Sequence, residues 1–132
     1  MTTYLLDTSV IVDFLNGKRG RAALLRRILN EGHLLACSSV QVSEVYAGVR
    51  LHEEQKTEEF LRSLEYYEVS WDIARHAGYL KRDYARKGIT LALADVTIAA
   101  VALDHHLGLI TDNAKHYPMK DLEHYPMEPA GE

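Results

Sequence analysis

The sequence has few of the features that tie a protein to the extracellular space or to a membrane. It contains a single cysteine, Cys37, so an internal disulfide cannot form. No apolar run reaches the roughly eighteen residues of a membrane-spanning helix, and no charged-then-apolar leader is visible. We therefore expect a cytoplasmic protein that does not enter a membrane.

Basic charge is not in excess either. The chain has 15 Lys and Arg residues against 19 Asp and Glu residues, which gives a formal net charge of -4. This balance argues against a protein that holds nucleic acid through overall charge alone, although a local basic patch can still bind phosphates. One patch is either a phosphate-contacting ridge or the solvated face of a helix: Lys18, Arg19, Arg21, Arg26 and Arg27.

The chain is long and apolar enough to bury a core of its own. With 132 residues, of which 47% are hydrophobic, it is expected to form a single domain over residues 1–132 without support from a metal or disulfides. Residues 129–132 are expected to fray.

Short apolar runs alternate with longer segments of helical spacing along the chain. The runs near residues 4–6, 34–37, 67–70 and 109–111 are typical of strands, and most of the segments between them are typical of helices. This alternation predicts an α/β fold in which helices cover both faces of a parallel sheet. The segment 96–103 is the most apolar helical one and should be the central helix.

Four acidic residues stand at the ends of these predicted elements. Asp7 and Asp112 follow strands directly, Asp95 opens the most apolar helix, and Glu44 lies one turn into another helix. Because ligands gather at the carboxyl ends of parallel strands, all four could line one crevice. Each acid also has a plainer alternative role, since Asp7 and Asp95 can cap helices and Glu44 can lie on an exposed stripe.

A cluster of carboxylates requires a cation or protons. Two bare carboxylates about 4 Å apart repel each other by roughly 4 kcal/mol at an intermediate dielectric constant. Oxygen ligands without Cys or well-spaced His suit Mg²⁺ or Mn²⁺ and not zinc. Since Mg²⁺ prefers one or two protein carboxylates together with phosphate oxygens, phosphoryl-ester chemistry is the natural use of such a site.

The four acids lie in short motifs that extend over nearly the whole chain. The motifs are Leu5–Ser9, Val42–Val49, Ala94–Ala100 and Leu109–Asn113. In this order and spacing they resemble the motifs of the PIN-domain ribonucleases, and more narrowly those of the VapC-type toxins of toxin–antitoxin pairs.

The resemblance implies a three-layer α/β/α sandwich with a central, mainly parallel sheet and a metal-dependent endoribonuclease site. It also implies a homodimeric toxin that acts on RNA and a cognate antitoxin protein that occupies the site or its groove. Matched by position, Asp7, Glu44 and Asp95 are the family's most regular acids and are expected to be catalytic. Three hydroxyl residues would support the phosphate or the ligands: Thr8, Ser9 and Thr111.

The mechanism predicted on this basis is hydrolysis of an RNA phosphodiester by water activated on Mg²⁺ or Mn²⁺. Asp7 and Asp95 would bind the metal most directly. Glu44 would hold a water molecule bound to that metal, or a second ion. The number of ions, one or two, stays open.

The fourth position departs from the family's pattern. After Thr111 that pattern has any residue, then Asn or Asp, and after two further residues an acid and an aromatic. Here Asn113 fits, but His116 stands where the acid would be and Tyr117 is the aromatic. Either Asp112 supplies the fourth carboxylate, or Asn113 acts as a neutral ligand or hydrogen-bond donor.

Other protein classes share parts of these motifs. Aspartic proteases have a signature similar to Asp7-Thr8-Ser9, but they need a β-rich lobe, and a glycine where this chain has Ser9. Phosphatases of the haloacid dehalogenase type need a second acid at that same position, and no Gly-rich phosphate loop of Walker or Rossmann type is present. The alternative that remains is a degenerate PIN module that binds RNA or a protein partner without cleavage.

Overall fold

A five-stranded sheet forms the middle layer of the structure, a computed structural model that describes residues 1–127. The strands are β1 (Thr3–Leu6), β2 (Leu34–Ser38), β3 (Glu65–Tyr67), β4 (Gly108–Ile110) and β5 (Glu123–His124). They lie in the order β3-β2-β1-β4-β5, and every neighbouring pair is parallel. The predicted fraying of residues 129–132 concerns a segment outside the described residues.

Helices lie between the strands in sequence. Those within residues 1–127 are α1 (Thr8–Leu15), α2 (Arg21–Asn30), α3 (Ser39–Ala47), α4 (Glu54–Arg62), α5 (Trp71–Arg86) and α6 (Leu93–Asp104). Two short 3₁₀ turns, Leu51–Glu53 and Ala114–His116, occur in the connections. None of the helices in this part of the chain has the length and apolar character that crossing a bilayer requires.

The two faces of the sheet are covered by different helices. Successive residues of a strand point to opposite faces. Leu5 and Leu109 belong to a buried cluster with α5 and α6, whereas Leu6 and Ile110 belong to a second cluster with α1, α2, α3 and α4. The predicted three-layer α/β/α sandwich with a parallel sheet is therefore confirmed.

Helix α6 is the most deeply buried of these helices. Six of its residues are fully buried: Val96, Ile98, Ala99, Ala100, Val101 and Ala102. This burial confirms the prediction of a central apolar helix. It also fixes the position of Asp95, which lies in the first turn of α6, relative to the sheet.

The carboxyl ends of the two central strands are aligned. Leu6 is paired with Ile110 in the β1–β4 register, and the N–H of Asp7 donates to the carbonyl of Ile110 at 2.9 Å. Helix α3 is attached to the same edge, because the fully buried Gln41 donates from Nε2 to the carbonyl of Leu6 at 2.9 Å. The end of β1 is thus the point at which β4 and α3 meet.

Candidate active site

Asp7 occupies the centre of this edge and is only 7% exposed. Its Oδ1 accepts a hydrogen bond from the N–H of Thr8 at 2.8 Å, at the start of α1. Its Oδ2 accepts one from the hydroxyl of Thr111 at 2.7 Å. Asp7 therefore caps α1, as the plainer alternative proposed, and at the same time projects a fixed carboxylate beside the end of β4.

Asp95 lies close to Asp7 although the two are far apart in sequence. The hydroxyl oxygen of Tyr117 is 3.1 Å from Asp7 Oδ1 and 3.1 Å from Asp95 Oδ1. The two carboxylate oxygens therefore cannot be further apart than twice that distance. On its other side, Asp95 Oδ2 is 3.7 Å from Nδ1 of His116, which is half-exposed.

Opposing effects act on the pKa of Asp95, the second acid of this site. Burial raises the pKa of Asp95, and the negative charge of Asp7 raises it further, against the lowering effect of the Tyr117 hydrogen bond and of His116. Burial, followed by the charges of Asp7 and Asp95, also raises the pKa of Tyr117 far above its ordinary value. The phenol therefore stays protonated at neutral pH, and its single O–H can donate to either carboxylate or to both in a three-centre hydrogen bond.

Glu44 lies at the rim of the site. Its Oε1 accepts a hydrogen bond from the hydroxyl of Thr8 at 2.6 Å, which joins α3 to the residue that follows Asp7. Glu44 is exposed and also lines a groove of about 390 Å³ between α1, α3 and α4. Three basic residues line the same groove: Lys18, Arg50 and Lys56.

The structure separates the two candidates for the fourth position. Asp112 Oδ1 accepts a hydrogen bond from Nη2 of Arg21, whose side chain is only 5% exposed. The N–H of Asn113 instead donates to the hydroxyl of Thr111 at 3.0 Å, and that hydroxyl in turn donates to Asp7. Asp112 thus has a buried partner of its own, and Asn113 is linked to Asp7 through its main-chain N–H and the hydroxyl of Thr111.

The three predicted supporting hydroxyls differ in what they contact. Thr8 bonds to Glu44 and Thr111 bonds to Asp7. The hydroxyl oxygen of Ser9 is buried and has no hydrogen-bond partner within residues 1–127. Only Thr8 and Thr111 therefore contact a predicted catalytic acid directly.

Two residues of this region were not predicted as part of the site. Tyr117 bridges Asp7 and Asp95, although the sequence identified it only as the aromatic of the last motif. Arg21 pairs with Asp112, although it stands in a basic stretch that predicted a ridge or a solvated face. The signal for Tyr117 in the sequence is the hydroxyl on the aromatic residue of the motif. The signal for Arg21 is its position at the start of a predicted helix.

The donor set can be tested against a divalent cation. In the described part of the chain, no group of three or more His, Cys, Asp and Glu residues is close enough to hold a metal ion. Asp7 and Asp95 nevertheless form a pair of hard oxygen donors, and Mg²⁺ characteristically uses one or two carboxylates and retains waters. Cys37 is no competing ligand, because burial raises the pKa of its thiol to about 11. The residues present thus fit Mg²⁺ or Mn²⁺ and do not fit a soft metal.

Comparison with known proteins decides the family. The family model described as the PIN domain matches residues 4–122. The chain belongs to the PIN domain family. Within this family it is 36% identical over 115 residues to Ribonuclease VapC19 of Mycobacterium tuberculosis. The aligned residues cover 87% of this chain and 92% of that protein. The VapC-type resemblance read from the four motifs is thereby confirmed.

Solved structures of similar proteins agree with the fold. A toxin–antitoxin complex from Klebsiella pneumoniae has a chain with a TM-score of 0.74 and 30% identity, covering 90% of this chain and 94% of that one. VapBC2 from Rickettsia felis, solved bound to a DNA fragment from its promoter, gives a TM-score of 0.81 at 23% identity, with 93% and 97% covered. At that identity the second match shows the fold alone.

Proposed function

We propose that this PIN-domain protein is an endoribonuclease that uses Mg²⁺ or Mn²⁺ to hydrolyse RNA phosphodiesters. The observation that carries the proposal is the convergence of Asp7 and Asp95 on one hydroxyl group. Two adjacent carboxylates repel each other, and a divalent cation that also binds phosphate relieves this repulsion. The similarity to a protein named as a ribonuclease supports RNA as the substrate class.

Cation binding would involve residues at the end of β1, in α6 and in the loop after β4. Asp7 and Asp95 would hold the cation, and the hydrogen bonds from Thr8 and Thr111 keep Asp7 in orientation. When bound, a divalent ion supplies Lewis-acid catalysis, which activates water and stabilises the negative charge that develops on the phosphate.

Glu44 would act on the attacking water. One of its oxygens, Oε1, is held by the hydroxyl of Thr8, which leaves Oε2 to accept a proton from that water. The groove that Glu44 lines also contains Lys18 and Lys56, whose charges favour the phosphates of an RNA strand.

We assign the fourth position to Asn113 and a structural role to Asp112. Asp112 is committed to the buried Arg21, so its charge is already neutralised. The main-chain N–H of Asn113 donates to the hydroxyl of Thr111, which donates to Asp7, and the Asn113 side chain adds no negative charge. The site would then carry the three negative charges of Asp7, Glu44 and Asp95.

Cleavage of RNA is expected to depend strictly on a divalent cation. Purified protein should cut total cellular RNA in Mg²⁺ or Mn²⁺, should stop when EDTA is added, and should recover when Mn²⁺ is restored in excess. A circular RNA tests the endonuclease assignment, because only internal cleavage makes it linear. Gel analysis of both RNA samples over time is the measurement.

The alternative of a degenerate module makes a different prediction for the same sample. Such a module would bind RNA in a gel-shift assay and leave it intact at every concentration of Mn²⁺. Cleavage that continues at full rate in EDTA would contradict the metal-dependent mechanism. Cleavage that is unchanged by loss of the Asp7 carboxylate would contradict the assignment of this site as the active site.

The partners follow from the same proposal. We infer that a cognate antitoxin protein binds this chain as a toxin, since a chain of 30% identity was solved as part of a toxin–antitoxin complex. The groove beside Glu44 is the expected docking place, where an antitoxin would exclude RNA. We further propose a homodimer that acts in the cytoplasm, where its RNA substrates are found.

A further inference from the structure

Tyr117 combines a buried ring with a polar end that reaches the site. It follows the 3₁₀ turn Ala114–His116, is 1% exposed, and belongs to the apolar cluster that contains most of α6. Its hydroxyl is the group that contacts both Asp7 and Asp95, at 3.1 Å in each case. The ring is therefore held by the core while the oxygen lies between two carboxylates.

Without Tyr117, Asp7 and Asp95 would keep different numbers of hydrogen-bond donors. Asp7 has two other donors, the N–H of Thr8 at 2.8 Å and the hydroxyl of Thr111 at 2.7 Å. Within residues 1–127, Asp95 has Tyr117 as its one hydrogen-bond donor, besides the longer ion pair to His116. Loss of the phenol would leave Asp7 oriented but would release Asp95.

The phenol also leaves each carboxylate able to bind something else. A carboxylate has about four lone-pair positions on two oxygens, and the shared hydroxyl contacts one oxygen of each acid. The free positions of Asp7 and Asp95 remain available to a cation on the open side of the site. A group that orients ligands in this way raises affinity without touching the ion itself.

We propose that the Tyr117 hydroxyl is a positioning group that sets the spacing of Asp7 and Asp95 for a shared divalent cation. The proposal rests on the proposed function of the site and adds to it a residue whose hydroxyl the motif alone does not explain. Phenylalanine at this position would fill the same core space but would leave the two carboxylates free to move apart. Cation binding would then be weaker, because part of its free energy would be used to bring the two carboxylates together again.

The test compares two variants that each lose one phenol hydroxyl. Tyr117→Phe should raise the dissociation constant for Mn²⁺ by about 10- to 100-fold, which is the usual effect of losing a group that orients a metal ligand. Tyr125→Phe is the matched control, because its hydroxyl donates to Glu31 Oε1 at 2.8 Å, away from the acids. It should bind Mn²⁺ as the wild type does. Isothermal titration calorimetry with Mn²⁺ measures both without reference to activity.

Kinetics separate positioning from a general loss of structure. RNA cleavage by Tyr117→Phe should approach the wild-type kcat when Mn²⁺ is saturating, with an unchanged KM for RNA and a raised half-saturation concentration for Mn²⁺. Equal Mn²⁺ affinity in wild type and Tyr117→Phe would overturn the proposal. A Tyr117→Phe protein that does not fold, judged by circular dichroism, would assign the hydroxyl to stability and would overturn it too.

A second measurement keeps the native hydroxyl in place. Site-specific replacement of Tyr117 by 3-fluorotyrosine should give a ¹⁹F resonance that shifts on titration with Mg²⁺, and a resonance that does not move would contradict the proposal. Failure of the proposed function would look different, since the wild-type protein itself would then bind no Mn²⁺ and cut no RNA. Wild-type binding and cleavage with no effect of Tyr117→Phe would reject only the inference about Tyr117.

Discussion

Asp7→Asn is expected to lower the rate of RNA cleavage by more than about 100-fold while the protein stays folded. Loss of a group that merely orients a metal ligand costs about 10- to 100-fold, so loss of a direct ligand should cost more. The fold should persist because Asn caps a helix about as well as Asp and can still accept from the N–H of Thr8. Asp95→Asn should behave in the same way.

The measurement is the single-turnover cleavage rate at saturating Mn²⁺, with thermal melting as the check on folding. Asp104→Asn is the matched control, since Asp104 ends the same helix as Asp95 and bonds to His76 at 2.8 Å, away from the site. It removes one acid from α6 and should leave the cleavage rate unchanged. Wild-type rates in both Asp7→Asn and Asp95→Asn would contradict the proposed roles.

Asp112→Ala is expected to destabilise the protein strongly, by about 3–5 kcal/mol, through its effect on Arg21. The side chain of Arg21 is 5% exposed, and Asp112, whose side chain is 17% exposed, is its acidic partner. The Nε of Arg21 already has no hydrogen-bond partner in the described part of the chain. Removal of Asp112 would leave a buried positive charge without compensation. Because domains of this size are stable by only about 5–15 kcal/mol, this loss is large.

Urea denaturation of three variants tests this expectation. Glu58→Ala is the control, because Glu58 pairs with Arg62 at 2.9 Å on the surface, where the two side chains are 55% and 79% exposed. It should cost far less than Asp112→Ala, because water screens the exposed pair. The double variant Arg21→Met/Asp112→Ala should regain much of the lost stability, since it removes both charges together. An Asp112→Ala protein as stable as Glu58→Ala would contradict the role of the pair.

The same double variant decides the role of Asp112 in the site. If Asp112 is structural, the stabilised double variant should bind Mn²⁺ as the wild type does. If the double variant is stable but has lost Mn²⁺ binding, Asp112 supplies the fourth carboxylate and our assignment of Asn113 is wrong.

The fold was predictable because its local signals agree with one another. The apolar run at residues 4–6 is short, ends in capping residues and is followed by helical spacing, and it forms β1 and α1 as predicted. The segment 96–103 has no polar face, and only a helix packed on most sides can bury it. Alternating strands and helices then leave few topologies other than a covered parallel sheet.

The candidate site was predictable only where the backbone determines it. Asp7 and Asp95 meet because one follows a central strand and the other opens the central helix, and both positions could be read from spacing. Tyr117 could not be predicted as a bridge, since its buried ring reads as core and its hydroxyl depends on tertiary contacts with Asp7 and Asp95. Arg21 could not be separated from the other basic residues of its stretch, because its pairing with Asp112 joins residues 91 positions apart in the sequence.

The central claim is that Asp7 and Asp95 share one divalent cation. Anomalous diffraction from crystals soaked in Mn²⁺ tests it most directly, because the metal itself gives the signal. We expect a peak with oxygens of both Asp7 and Asp95 at about 2.1 Å, the distance typical of a Mg²⁺-type site. A peak bound elsewhere, or no peak between these two carboxylates in crystals that hold Mn²⁺, would contradict it.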